Sequence, residues 1–326
     1  MKSAVAIDTA ANRGVNLLRR VRLDYPWFTV MTAVAVWGLI VLGGTVRATD
    51  SGTACPDWPL CHGRVVPPVE TKVMIEYAHR VVASIVGFMI IGTVVWGWRR
   101  HQRSRLVTRG GAVIIALLAS QVVLGGVTVE TETAASVVAV HLSIALTLFT
   151  LLIATAVASF RLEEGKSLPD MDGARGFVRR IGWLPFLAMA GTFALIIVGA
   201  FVSQMGAALA YPDWPLFDGK LVSAGGKLAD LHYAHRLLAA VNGLLLAAFA
   251  WQVLDCDRRA VILAALAALA ALFVAQVIIG AANVWLELAT SVRVLHLALA
   301  SAMWGVLVFA VAYPSLNPME TAETRP

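Results

Sequence analysis

The sequence predicts an all-α, polytopic membrane protein with eight transmembrane helices, arranged as two pseudo-symmetric four-helix bundles. Composition and an internal repeat are the observations behind this prediction. Of the 326 residues, 59% are hydrophobic and 14% are charged, and the mean hydropathy is +0.77. A soluble domain carries roughly 25% charged residues, so this chain has too few to cover a water-facing surface. The net charge of +6 is therefore not evidence for a nucleic-acid partner, and we expect membrane lipid around the chain.

Two motifs reveal an internal duplication. Pro-Asp-Trp-Pro-Leu occurs at 56–60 and 212–216, and Tyr-Ala-His-Arg occurs at 77–80 and 233–236. The offset is 212 − 56 = 156 for the first motif and 233 − 77 = 156 for the second. A spacing kept across half the chain predicts a parallel repeat of two four-helix units.

Eight apolar runs of about 20 residues have the length that a bilayer core requires. We expect them to be helices, because an open strand would leave backbone groups unpaired in lipid. The predicted spans are 27–46, 75–98, 111–129, 135–159, 183–204, 231–254, 260–284 and 290–313. They give an N-terminal tail at 1–26, a bundle at 27–160, a linker at 161–181, a second bundle at 182–313 and a C-terminal tail at 314–326.

Basic residues mark alternate connections between the spans. Arginines and lysines cluster before span one, and again between spans two and three, four and five, and six and seven. This is the positive-inside pattern, and it places both termini and the linker in the cytoplasm. The two loops that carry Pro-Asp-Trp-Pro-Leu are then on the outer side.

Four of the seven histidines form repeat-related pairs. His79 matches His235, and His141 matches His296 at an offset of 296 − 141 = 155. All four lie near the outer ends of even-numbered spans. A single histidine here is usually hydrogen-bonded to a neighbouring carbonyl group. Four histidines at matched positions and one depth instead predict ligands that face a bundle interior.

Haem iron is the predicted metal, because two imidazoles from facing helices of a bundle can ligate it axially. Zinc would require more ligands in closer sequence clusters. The simplest pairing lies within each half, His79 with His141 and His235 with His296, although the sequence does not exclude pairing across the halves.

The two halves differ at Glu76, which precedes His79 by three residues and so shares its helix face. The matching residue is His232. A carboxylate beside a ligand histidine can move protons or stabilise developing positive charge. The alternative is an interfacial carboxylate at a helix start.

Cys55 and Cys61 flank the first Pro-Asp-Trp-Pro-Leu motif, where the second copy has Tyr211 and Phe217. On the outer, oxidising side they predict a disulfide, which is either a structural staple or a redox-active pair. Only one of the two histidine sites has a carboxylate and a cysteine pair beside it, which indicates that the two sites have different functions. The first half would hold the reacting group and the second half a permanent cofactor.

Arg80 and Arg236 directly follow the first histidine of each half. Arginine pairs well with carboxylates, so these residues are candidate contacts for haem propionates. Snorkelling to the membrane interface is the alternative interpretation.

The motifs together resemble the haem A synthases, membrane enzymes that oxidise haem O to haem A for terminal oxidases. The resemblance covers about residues 27–313 and is closest to the bacterial form with an outer cysteine pair. Its carriers are 43–47 (Gly-Gly-Thr-Val-Arg), Ser51-Gly52, the segment from Cys55 to Cys61, 76–80 (Glu-Tyr-Ala-His-Arg), His141, 233–236 and His296.

The resemblance implies a b-type haem held by His235 and His296 and substrate haem O bound by His79 and His141. It implies a catalytic Glu76, an outer Cys55–Cys61 disulfide, and stepwise oxidation of a ring methyl to a formyl group with oxygen from water. It also implies a bacterial inner-membrane location. Haem O synthase is a candidate donor, the electron acceptor is unidentified, and a homo-oligomer is compatible.

Two other functions were considered. A di-haem electron-transfer cytochrome would use the four histidines equally well, but it would need neither Glu76 nor a cysteine pair in one half only. A transporter built from repeats predicts broken helices near the membrane midplane, and the sequence shows no paired Gly/Pro breaks there.

Overall fold

The computed structural model describes residues 24–169, 182–223 and 225–318. Most of the predicted N-terminal tail, residues 170–181 of the linker and the end of the chain lie outside these ranges. Eight long helices are present, and we label them α1 to α8: Tyr25–Ala48, Thr71–Arg100, Arg105–Glu130, Ala135–Glu163, Leu184–Gln204, Lys227–Cys256, Ala260–Trp285 and Thr290–Leu316. Each is long and apolar enough to cross a membrane, which confirms the predicted all-α, multi-pass fold.

Several helices extend beyond their predicted spans. α2 begins at Thr71 and α3 at Arg105, because polar end turns remain helical after they leave the apolar region that hydropathy detects. The α3 start is capped by Ser104, whose Oγ accepts a hydrogen bond from the Val107 amide at 3.4 Å. At the other end of the chain, α8 continues through Pro314 to Leu316, two residues past the predicted start of the tail.

The N-terminal half (α1–α4) forms a closed ring of helices. α1 packs on α2 and α4, and α3 packs on the same two helices. The C-terminal half (α5–α8) is more open: α5 packs closely on α6 and α7 on α8, whereas α6 and α7 meet at only a few residues.

The two halves join along α8, which packs against α1 and α4. The indole of Trp304 in α8 donates to the Thr150 hydroxyl in α4 at 3.0 Å. The indole of Trp37 in α1 donates to the carbonyl of Ala298 at 3.2 Å. Interhelical hydrogen bonds of this kind fix helices in lipid, where apolar contacts alone provide little preference for one partner.

The loops 49–70 and 205–226 lie at one end of the molecule, which we call the loop face. Both loops fold in the same way. The Asp57 carboxylate accepts hydrogen bonds from the amides of His62 at 2.5 Å and Gly63 at 2.8 Å. The Asp213 carboxylate accepts from Asp218 and Gly219 at 2.8 and 2.9 Å. The repeat therefore extends to backbone conformation.

These hydrogen bonds stabilise the ionised form of each aspartate. Donation from the Gly63 amide lowers the pKa of Asp57, and donation from the Gly219 amide lowers the pKa of Asp213. The residues that turn each loop, His62 and Asp218, have left-handed φ angles of 55° and 56°. A carboxylate that binds consecutive amides offsets the cost of such a turn.

Candidate histidine sites

The first histidine site is built by α1, α2 and α4. His79 of α2 and His141 of α4 lie close enough for their charges to interact, so the structure brings the two together. Gly43 of α1 lies against the His79 ring: a Cβ atom at Gly43 would be 3.3 Å from Cε1 of the imidazole. Gln121 of α3 donates to the His141 carbonyl at 2.8 Å. The absence of a side chain at Gly43 lets the His79 ring lie directly against α1.

The second site repeats this arrangement in α5 to α8. His235 of α6 and His296 of α8 are again close enough to interact. Gly199 matches Gly43 at the offset of 199 − 43 = 156, and its Cβ would be 2.9 Å from Cε1 of His235. Gly280 packs in the same way on His296, at 3.2 Å. The Gln276 amide lies 3.2 Å from Nε2 of His296.

All four imidazole rings have a buried Nδ1 with no hydrogen-bond partner, namely those of His79, His141, His235 and His296. A buried polar atom left unpaired costs about 1–3 kcal/mol. Four such atoms at repeat-related positions call for a ligand or another functional explanation. Paired imidazoles from facing helices match the donor set for axial haem ligation. The described residues contain no cluster of three or more His, Cys, Asp or Glu side chains that would hold a bare metal ion.

Glu76 is buried beside the first site, with 4% of its surface exposed. Its Oε1 accepts from Nη2 of Arg80 at 2.5 Å, and its Oε2 accepts from the Cys55 amide at 2.8 Å. It lies three residues before His79 on α2, so both side chains point to the same side of the helix. The carboxylate therefore links the histidine site to the outer loop.

Arg80 anchors the first loop onto α2. Its Nη1 donates to the carbonyls of Asp57 and Leu60 at 2.7 and 2.5 Å, and its Nη2 donates to the Cys55 carbonyl at 3.1 Å as well as to Glu76. Both terminal nitrogens are thus engaged by the protein itself. Contact with a propionate remains a prediction for this residue, while its role in loop anchoring is directly visible.

Arg236 does the same in the second half. Its Nη1 and Nη2 donate to the carbonyls of Leu216 and Asp213 at 2.9 and 3.0 Å. Its Nε donates to Nε2 of His232 at 3.1 Å. His232, with 5% of its surface exposed, therefore occupies the place of Glu76 in contact with the equivalent arginine.

Cys55 and Cys61 form the predicted disulfide, and both are buried. In the second loop, Tyr211 and Phe217 take their places and stack edge to face with ring centroids 5.1 Å apart. Arg236 lies over the Phe217 ring at 5.1 Å. A covalent staple in one loop is thus replaced by an aromatic cluster in the other.

The sequence patterns alone did not reveal how the aspartates and the arginines of the two loops work together. Each loop is held by one carboxylate from within and by one guanidinium from the following helix. The signal was present: an Asp followed five and six residues later by His62-Gly63 or Asp218-Gly219, with the arginine at a fixed distance.

The fold and the sites define a multi-pass membrane protein built by duplication, with one pair of neighbouring imidazoles in each half. The chain belongs to the COX15-CtaA family of cytochrome oxidase assembly proteins, whose profile matches residues 26–308. Its similarity to relatives named heme A synthase covers nearly the whole chain.

Three such relatives are bacterial. The protein of Alkalihalophilus pseudofirmus is 30% identical over 307 residues, which cover 92% of this chain and 97% of the relative. That of Shouchella clausii is 30% identical over 292 residues, covering 86% and 94%. That of Symbiobacterium thermophilum is 28% identical over 285 residues, covering 86% and 90%.

Proposed function

We propose that this protein is a haem A synthase, an oxidoreductase that converts one ring methyl group of haem O into a formyl group. Family membership supports the overall activity. The buried carboxylate of Glu76, one helical turn from His79, supports our placing the reaction in the first half, because the matching residue of the second half is His232.

In this proposal His79 and His141 bind the iron of the substrate haem O. The absence of a side chain at Gly43 lets the His79 ring pack against α1. Two imidazoles that bind one iron would fix the plane of the porphyrin, with the Glu76 carboxylate one helical turn from His79. Positioning of this kind lowers the entropic part of the barrier.

The reaction has two oxidation steps. In the first step, the methyl group loses two electrons and one proton. The oxygen of a water molecule bonds to the methyl carbon, and this water releases one of its two protons. The product is a hydroxymethyl group. In the second, the hydroxymethyl group loses two electrons and two protons to become the formyl group. An external oxidant accepts the electrons of both steps.

Glu76 is suited to this chemistry through its charge and its acceptor sites. Each carboxylate oxygen has two lone pairs, and the contacts with Arg80 and Cys55 use one on each oxygen. The remaining acceptor sites can orient the attacking water or stabilise positive charge that develops on the methyl carbon. Arg80 keeps the carboxylate in place while it does so.

In this proposal the second half would hold a resident b-type haem, and His235 and His296 would bind its iron. The closeness of the two rings across different helices and the glycines against both rings fit such a ligand pair. When bound, this haem supplies one-electron redox chemistry. His232 in place of a carboxylate leaves the second half without the group assigned to catalysis. We place the protein in the bacterial cell membrane with both termini in the cytoplasm. Haem O synthase is a candidate donor of the substrate.

The test is co-production of the full-length protein with haem O, followed by pigment extraction. The wild-type protein should yield haem A. Glu76→Gln should accumulate haem O and retain the b-type spectrum, while His235→Ala should lose that spectrum. His232→Gln is the matched control, because it changes the equivalent residue of the other half and should still yield haem A.

Normal haem A production by Glu76→Gln would refute the catalytic assignment. A wild-type protein that retains two permanent b-type haems and produces no haem A would instead identify an electron-transfer cytochrome. The two results are read from the same extract, so one experiment separates the two functions.

A further inference from the structure

Two arginines at the boundary between the halves have no role in the chemistry described so far. Arg47 lies in the last turn of α1 and Arg293 in the first turn of α8. Neither has a counterpart in the other half: the matching positions are Ser203 (47 + 156 = 203) and Val138 (293 − 155 = 138). If the repeated fold required these arginines, the other half would have matching arginines. We therefore infer that Arg47 and Arg293 serve a feature that occurs only once in the protein.

Each arginine lies close in sequence to one of the two histidine sites. Arg47 follows Gly43, which lies against the His79 ring, by four residues on α1. Arg293 precedes His296 by three residues on α8. The Cα atoms of both arginines are therefore roughly 4.5 to 6 Å, about one helical turn, closer to the loop face than those of Gly43 and His296. A porphyrin ligated at imidazole depth with its polar edge towards the loop face would present its carboxylates at this level.

The seam between α1 and α8 brings the sites together. Gly44, next to Gly43, packs on Leu297, next to His296: a Cβ atom at Gly44 would be 2.5 Å from Cδ2 of Leu297. Adjacent residues of α1 thus contact one histidine site and the neighbour of the other. A ligand at the outer end of this seam is within reach of both halves.

The charges at the seam are not balanced. Arg47 and Arg293 are close enough to repel each other, and Asp50 is the carboxylate that faces both. Asp50 pairs with Arg47 at 3.0 Å, but its side chain is 69% exposed, so water weakens its effect. In addition, Nε of Arg47 is buried without a hydrogen-bond partner. An anion between the two arginines would satisfy this donor and relieve the repulsion.

Arg293 also donates from Nη1 to the carbonyl of Ala48 at 3.0 Å, which ties it to the end of α1. A guanidinium has five N–H donors, so this contact fixes its position and leaves others available. By contrast, Arg80 and Arg236 have both terminal nitrogens engaged by loop carbonyls.

We propose that Arg47 and Arg293 form a carboxylate-binding site at the seam, and that its ligand is a porphyrin propionate. This inference rests on the proposed function, since it requires haem at one or both histidine sites. The propionate comes from the resident haem of the second half or from the substrate haem of the first, and the two sources respond differently in the experiment.

The experiment uses the full-length protein with Arg293→Gln or Arg47→Gln, measuring b-type haem retained, its reduction potential and the titration of added haem O. A charge-assisted hydrogen bond contributes about 1.5–3 kcal/mol, so loss of one arginine should weaken haem binding roughly 10- to 100-fold. If the resident haem supplies the propionate, haem retention falls. Its reduction potential also falls, because a nearby cation favours the reduced form. If substrate supplies it, the haem O titration weakens and the b-type potential stays constant.

Arg293→Lys keeps a cation and should recover part of the lost affinity. Arg64→Gln removes a positive charge from an exposed position of the first outer loop and should change none of the three measurements. If both glutamine variants lower thermal stability while haem retention, potential and haem O binding are unchanged, the arginines only tie α1 to α8 and the inference is wrong. The proposed function fails separately, if the wild-type protein neither carries b-type haem nor binds haem O.

Discussion

The outer loops of the two halves have the same backbone fold but are held by different chemistry. Both use an aspartate that binds two amides and an arginine that binds loop carbonyls. The first loop adds a disulfide and an Arg80–Glu76 ion pair. The second adds stacked aromatic rings and a neutral His232 contact.

This difference separates what the fold needs from what the first half needs. A loop of this shape is stable with Tyr211 and Phe217 in place of the cysteines, so the shape alone does not require a disulfide. It is also stable with His232 in place of Glu76. The disulfide and the carboxylate occur together, and the Cys55 amide joins them directly. We infer that the loop in the first half is built to fix the position of Glu76.

The largest effect should come from breaking the ion pair. Arg80→Leu leaves Glu76 buried without its cation, and removal of one partner from a buried pair costs about 3–5 kcal/mol. Arg236→Leu leaves only a neutral imidazole and two carbonyls unpaired, so its cost should be smaller, about 1–3 kcal/mol. Thermal unfolding of the two purified variants compares them. Equal losses of stability would show that the ion pair adds nothing to loop anchoring.

Removal of the disulfide should have an intermediate effect. Cys55 and Cys61 are six residues apart, and closing so short a loop contributes about 2 kcal/mol. Cys55→Ser should therefore accelerate proteolysis of the first loop and leave the second unchanged. It should also lower haem A formation, because the Cys55 amide loses its fixed position against Glu76. If Cys55→Ser has a more labile loop but forms haem A at the normal rate, the disulfide only stabilises the loop.

Acid should produce the smallest effect, and an equal one in both halves. The pKa values of Asp57 and Asp213 are lowered in the folded loops, so their contribution is present above the ordinary value of 3.8. It is lost as the pH falls through the lowered pKa. Limited proteolysis with an acid-active protease between pH 5 and pH 3 measures how fast each loop is cleaved. Cleavage of both loops should become faster only below about pH 4. Loosening of one loop alone would contradict the equivalence of the two aspartates.

Much of the fold could be predicted because its signals are local or repeated. Apolar runs predicted all eight helices, and the offset of 156 predicted two related units. The four histidines stood out since their positions recur. The helix ends were less accurate, as at Arg105, because polar turns carry no hydropathy signal.

The contacts between the halves could not be predicted in the same way. Comparison of two repeats shows what they share, whereas α8 packs on α1 through residues that the repeats do not share, such as Arg293 and Gly44. The engagement of Arg80 by loop carbonyls was also missed, because a guanidinium near a membrane surface has many partners available and only the folded loop selects among them.

Because Gly43 and Gly44 are adjacent on α1, both halves of the protein depend on the same register of this helix. Inserting a single residue just before them would turn both by about 100° relative to the N-terminal part of the helix. The surface against His79 and the surface against Leu297 would then be lost together. A duplicated protein can ordinarily let one copy drift while the other is preserved. Here one turn of one helix is shared by both copies, so neither can change its register alone.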